Sequence, residues 1–211
     1  MFFHIFLTQS TFVQEFLTFY LICSMKRHAF IGSLAGVALC PAVVWGKVAS
    51  LAAEIGKAFK TKAGEGRKYG HIQLKGVNAN VLDIKISGSD TNGGLAMFEQ
   101  TSLSQGRGTP LHVHPAQDEV FYVIEGAYEF LVGKERFSLT VGESIFLPRQ
   151  VPHAWTQASP KGKMLVTLQP AGKLENFFTQ MAALDHEPSQ EEVAKIFEAN
   201  EMKVVGPPLK I

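Results

Sequence analysis

Seven histidines occur in the 211 residues, and three of them stand in one arrangement with a carboxylate: His112, His114 and His153, with Glu119 between. On a strand, residues two apart point the same way, so His112 and His114 offer two imidazoles to one side while Leu111 and Val113 face the other. Pro115-Ala116-Gln117 then turns the chain, and Glu119 begins the next run, Glu119–Ile124. Its side chain shares a face with Phe121 and Val123, which places the carboxylate in apolar surroundings. His153 opens a later strand behind Pro148 and Pro152, which stiffen its approach. Imidazole suits divalent zinc, copper, iron and nickel, and a carboxylate adds charge and hardness. Both cysteines, Cys23 and Cys40, lie in the first forty residues, so a metal held after them must rest on histidine and carboxylate.

The elements that position these groups read as β-structure. From Ile72 to Gln169 short β-branched or aromatic runs alternate with turn signals: Val81–Ile86, Leu95–Thr101, Val120–Ile124, Ala127–Val132, Arg136–Leu139, Ser144–Leu147, Ala154–Gln157 and Met164–Leu168. Gly133-Lys134 is spaced as a two-residue hairpin loop. Closely spaced strands with no helix between them predict an antiparallel sandwich or barrel. Two helices are predicted to follow, Lys173–Leu184 and Ser189–Asn200, with Ser189 as N-cap and Glu191-Glu192 in its first turn. Ala52–Lys62 reads as a short helix or a leader remnant, Ser87–Gly94 as a loop, and Gly206-Pro207-Pro208 as a terminator. Val120, Tyr122 and Ile124 are apolar on the face turned away from Glu119. Their strand should therefore be buried on both sides, covered by the C-terminal helices or by a second subunit, and a homodimer is expected.

The spacing resembles the cupin superfamily. Gly106-(x)5-His112-x-His114-(x)4-Glu119-(x)6-Gly126 is similar to its first motif throughout, and Gly142-(x)5-Pro148-x-Gln150-(x)2-His153-(x)3-Gln157 to its second. The second departs at Gln150, where glycine is usual, and at Gln157, where asparagine is usual. Neither supplies a ligand, so the departures bear on loop geometry. The resemblance implies an all-β, antiparallel, jelly-roll cupin barrel over residues 70–170, followed by a helical extension over 171–211. It implies one divalent first-row metal ion (Fe, Mn, Ni, Cu or Zn) on His112, His114, Glu119 and His153. Asp118 is the ligand under the shorter spacing, and the six-residue distance to Gly126 favours Glu119. Phe98, Gln100, Phe121 and Trp155 are candidate pocket residues, each equally readable as core or edge, while His71 and His186 read as surface residues.

Three imidazoles and a carboxylate leave two adjacent positions open on an octahedral ion, for dioxygen and a small substrate or for two oxygens of the substrate. The compact one-domain form resembles cupin dioxygenases, flavonol-cleaving quercetinases among them. A small phenolic or enolisable substrate is implied, with Glu119 as both ligand and proton acceptor. Isomerisation, decarboxylation or non-enzymatic binding of a metal or small ligand are the alternatives. Gly142-Glu143-Ser144-Ile145-Phe146 lacks the last glycine of a nucleophile elbow, and Gly106-Arg107-Gly108 lacks the ending of a phosphate loop.

Composition narrows the field further. With 46% hydrophobic residues the chain has ample surface to bury, which excludes disorder. Lys+Arg 20 against Asp+Glu 19 leaves no basic surplus for a nucleic-acid partner. The first segment reads as an address. Met25-Lys26-Arg27-His28 precedes eighteen uncharged residues, and small residues follow in Val48-Ala49-Ser50 and Leu51-Ala52-Ala53. Residues 25–53 are therefore expected to be a signal peptide in a leader helix, and 1–24 an upstream hydrophobic segment that need not be translated. Arg27-His28 resembles a twin-arginine export signal with His28 in place of the second arginine. Export, to a bacterial periplasm, is expected, with membrane anchoring as the alternative if the leader is retained.

Overall fold

The computed structural model describes residues 58–211. The expected leader and upstream segment, residues 1–53, lie outside the described residues. Eleven strands and two helices are described: β1 (His71–Gln73), β2 (Val81–Ile86), β3 (Ala96–Ser102), β4 (Pro110–Val113), β5 (Asp118–Glu125), β6 (Ala127–Val132), β7 (Glu135–Thr140), β8 (Ser144–Leu147), β9 (His153–Gln157), β10 (Gly162–Gln169), α1 (Leu174–Ala183), α2 (Gln190–Ala199) and β11 (Lys203–Pro208). They form two antiparallel sheets, ordered β1-β2-β3-β10-β5-β8 and β11-β4-β9-β6-β7.

Period-two alternation explains why these segments are strands. In β3 every second residue, Ala96, Phe98, Gln100 and Ser102, is buried. In β10 the buried set is Gly162, Met164, Val166 and Leu168. These residues face Tyr128 and Phe130 of β6 and Trp155 of β9 across one continuous core. A polar pin joins the two sheets: the buried Tyr128 hydroxyl donates to Ser102 Oγ at 2.7 Å. Burial pushes that phenol up to about 12, so it stays a donor. Gly162 is required beside it, because a Cβ there would lie 2.3 Å from the Tyr128 oxygen. Gly133-Lys134 does close the β6–β7 hairpin, with Val132 opposite Glu135.

Several expectations need correction. Of Ala52–Lys62, the described part (58–62) is not helical. Thr61 Oγ1 donates to Lys85 O at 3.2 Å and the Arg67 guanidinium lies 3.7 Å from the Phe59 ring centre, which ties this segment down as irregular chain. Ser87–Gly94 is an ordered turn rather than a plain loop. A 3-10 turn at Gly88–Asp90 carries a complete capping box between Ser87 and Asp90. That turn holds α1, since Glu175 accepts from Gly88 N at 2.6 Å and from Ser87 Oγ at 3.0 Å. Gly206-Pro207-Pro208 does not end the structure: β11 pairs with β4 through two register shifts. The prolines are tolerated because β11 is an edge strand.

The helices also go elsewhere than expected. Ser189 caps α2 through its side chain, accepting from Glu192 N at 3.1 Å. The buried residues of α1, Leu174, Phe177, Phe178 and Met181, and Phe197 of α2 join the core, with α1 against edge strand β1 and α2 against edge strand β11. The outer face of β5 is left uncovered among the described residues. Val120, Tyr122 and Ile124 are 38%, 45% and 39% exposed, so this strand is not buried on both sides within one chain. Among the described residues no helix is long and apolar enough to cross a membrane.

Candidate metal centre

The fold brings His112, His114, Glu119 and His153 together with one potential ligand atom from each within 4.8 Å of the others, all four side chains buried. His112 on β4 lies directly opposite His153 on β9, and their ring centres are 4.5 Å apart. His114 follows β4 and stacks on His153 at 5.4 Å with 9° between the ring planes. Glu119 reaches in from the facing sheet near the start of β5.

Local geometry fixes two of the rings. His112 Nδ1 lies 2.8 Å from Pro110 O and His153 Nδ1 lies 3.0 Å from Val151 O. A carbonyl only accepts, so each Nδ1 carries the proton and each Nε2 keeps its lone pair. The loop before β9 holds the backbone of the third histidine. Gln150 takes φ 67°, and its N–H donates to His114 O at 2.8 Å. Left-handed backbone favours glycine, so this is where the departure from the motif falls, and the loop keeps the conformation with a glutamine in it.

The electrostatics call for a cation. His153 Nε2 is buried and has no hydrogen-bond partner. It lies 3.3 Å from Glu119 Oε2, but with the proton on Nδ1 both atoms are acceptors and no bond joins them. His114 Nε2 is 3.9 Å from the same oxygen. Among the described residues no lysine or arginine pairs with Glu119, so a buried carboxylate is left facing three rings. Burial, reinforced by the repulsion that a second imidazolium beside His153 would meet, holds His112 well below the usual imidazole range and His114 down to about 3. Both are neutral at pH 7, the form that binds metal. Asp118, the alternative under shorter spacing, points away. It accepts from Arg149 Nε at 3.1 Å and Nη2 at 2.6 Å, and that guanidinium holds its carboxyl down to about 2.

A narrow cavity of ≈ 50 Å³ opens on the cluster. Of the expected pocket residues, Gln100, Phe121 and Trp155 line it. Phe98 does not; it is fully buried, with its ring edge-on to Phe178 at 5.1 Å, because α1 covers it. Gln100 is a buried polar contact, donating to Ser102 Oγ at 2.9 Å. The sequence reading missed the helical wall: Leu174, Phe177, Phe178, Met181 and Phe197 also line the cavity. Their helical spacing marks an apolar face, though not what that face covers. His71 and His186 stay outside and pair with carboxylates, His71 with Asp83 at 2.6 Å and His186 with Asp185 and Glu192 at 2.8 and 2.9 Å.

Residues 100–168 match the cupin domain family. The match contains all four cluster residues, and the two-sheet fold is the cupin double-stranded β-helix. The chain is 29% identical over 109 residues to quercetin 2,3-dioxygenase of Bacillus subtilis, covering 51% of this chain and 30% of that enzyme. It is 33% identical over 48 residues to an uncharacterized protein of Methanocaldococcus jannaschii, covering 23% and 38%. The chain thus spans about a third of the length of these curated relatives. Among solved structures, an RmlC-like cupin of Shewanella frigidimarina is 23% identical, with 53% of this chain and 94% of that one covered and a TM-score of 0.42. KdgF of Halomonas sp. is 20% identical, with 43% and 78% covered and a TM-score of 0.39.

Proposed function

We propose that this cupin is a metal-dependent enzyme, a dioxygenase acting on a small phenolic or enolisable substrate. The observation that carries the reading is the buried Glu119 carboxylate facing three oriented imidazoles in an apolar cavity. His112, His114, His153 and Glu119 would hold one divalent first-row ion. When bound, that ion would supply Lewis acidity and a redox partner for dioxygen. Glu119 takes the hydroxyl proton of the substrate on a carboxylate oxygen, which its position in the wall allows. Phe121, Trp155, Phe177 and Phe197 keep water from the reacting groups. The similarity to quercetin 2,3-dioxygenase supports oxygen chemistry on an enolic substrate.

Cavity size favours a small substrate. Pockets for drug-sized ligands are about 300–1,000 Å³, and ≈ 50 Å³ holds only a few water-sized groups. A β-diketone or a simple catechol suits this site better than a flavonol, which would need α1 and α2 to shift. The same narrowness favours one second reading, a non-enzymatic cupin that holds a metal or a very small ligand.

Oxygen consumption with catechols, flavonols and β-diketones, after separate loading with Fe, Mn, Ni, Cu and Zn, separates the two readings. Turnover is expected with at least one small enolisable compound. Glu119→Gln should retain metal and lose turnover. Full activity in that variant would remove the proton-accepting role, and unchanged metal content in a His112→Ala/His153→Ala double variant would remove the site.

A further inference from the structure

His114 is anchored differently from the other two histidines. His112 and His153 are held by carbonyls two residues earlier in their own segments. The side chain that the His114 ring meets is instead that of Gln117, in the turn that joins His114 to β5. Gln117 is itself buried, and its Nε2 donates to Glu201 Oε2 at 3.1 Å. Glu201 follows α2 in left-handed backbone, at φ 64°. Its other oxygen meets Lys173 Nζ at 3.2 Å, and Lys173 stands at the N-cap position of α1. Gly172, at φ 55°, packs flat on the same amide: a Cβ there would lie 2.8–3.0 Å from Gln117. The side chain beside one imidazole of the cluster is therefore tied through Glu201 and Lys173 to the end of one helix and the start of the other.

We infer that Gln117 is a positioning residue for His114, and that the Gln117–Glu201–Lys173 chain makes metal affinity depend on how α1 and α2 are seated. This rests on the reading of the cluster as a metal site. The physical reason is orientation. A free imidazole ring turns about its terminal torsion, and only a fixed ring presents its lone pair to the ion without an ordering cost. Partners of ligating histidines typically contribute roughly 10–100-fold in affinity. Glu201 lies on the rim, with its side chain 41% exposed, so its effect travels through Gln117 and is the smaller.

Co(II) titration of the full chain tests the inference, read by competition affinity and by the visible d–d spectrum. Gln117→Leu should lower Co(II) affinity by roughly 10–100-fold and alter the spectrum. Glu201→Ala should shift both in the same direction by a few-fold, while thermal unfolding of its metal-free form stays unchanged. Glu201→Ala decides the matter if Gln117→Leu does not fold. Parental affinity and spectrum in the folded variants would overturn the positioning role and leave the metal site standing. No Co(II) binding by the parent protein would instead overturn the metal reading, and the linkage with it.

Discussion

β5 has two faces of nearly identical apolar character and opposite fates. Inward, Glu119, Phe121 and Val123 are 5%, 2% and 0% exposed; outward, Val120, Tyr122 and Ile124 average near two-fifths exposed. Beside the outer row Phe146 of β8 stands opposite Val120 and is itself exposed. The inner row meets a second sheet, so its carboxylate loses water and faces histidines. The outer row is covered by no second layer among the described residues, because the helices pack against the edge strands β1 and β11 instead. Side-chain type alone therefore does not separate core from surface along this strand; what lies across from each face does.

The comparison can be broken most directly by truncation. Phe121→Ala should cost about 3–5 kcal/mol in urea unfolding, since it opens a cavity in a packed core. Tyr122→Ala, one residue along, should cost less than about 1 kcal/mol in a single chain. We propose that the outer row pairs with a second copy of this chain, which would raise the Tyr122→Ala cost and make it concentration-dependent. Light scattering at micromolar protein should then give a dimer mass for the parent and a lower mass for Tyr122→Ala. A monomeric parent would end that proposal.

Acid sharpens the contrast. The unfolded chain has ordinary imidazoles near 6.5, whereas His112 and His114 are depressed in the fold, His114 to about 3. Between those values the unfolded state binds more protons, so metal-stripped protein should lose stability as pH falls from about 6.5 towards 3. The slope is at most about 1.4 kcal/mol per pH unit for each histidine. Thermal midpoints across that range should flatten in His114→Gln and stay steep in Tyr122→Ala.

The smallest effect concerns the loop that holds His114. Gln150→Gly removes the left-handed penalty at φ 67° and should stabilise the protein by about 0.5–1 kcal/mol, net of the freedom glycine adds to the unfolded chain. Denaturant midpoints check this, and no gain would show that the glutamine side chain contributes something the backbone argument omits.

Where pattern maps onto one geometry, the sequence was readable. Alternation alone puts His112 and His114 on one side, and the six-residue distance to Gly126 in the motif the chain resembles separates Glu119 from Asp118, which turns to Arg149. The Gly133-Lys134 hairpin and the Ser189 cap are short-range features decided by a few neighbouring residues. The misses are tertiary. The spacing of Phe177, Phe178 and Met181 predicts a buried stripe without saying that it closes a cavity. β11 hid behind two prolines, which exclude a central strand and allow an edge one. Gln117 read as a turn residue, and its role depends on Glu201, far along the chain.

The pairing of β4 with β11 sets a clock. His112 sits opposite Val204 on one side and His153 on the other, and Thr156, farther along β9, donates to Leu209 O at 2.6 Å. The ligand strand is thus flanked by segments synthesised well after it. Contacts this distant in sequence form slowly, because a long loop must close before they gain anything. The four-residue cluster should therefore be held in its final geometry only after β11 has been made and docked. A metal ion offered earlier would meet scattered imidazoles, so its incorporation would follow synthesis rather than guide it.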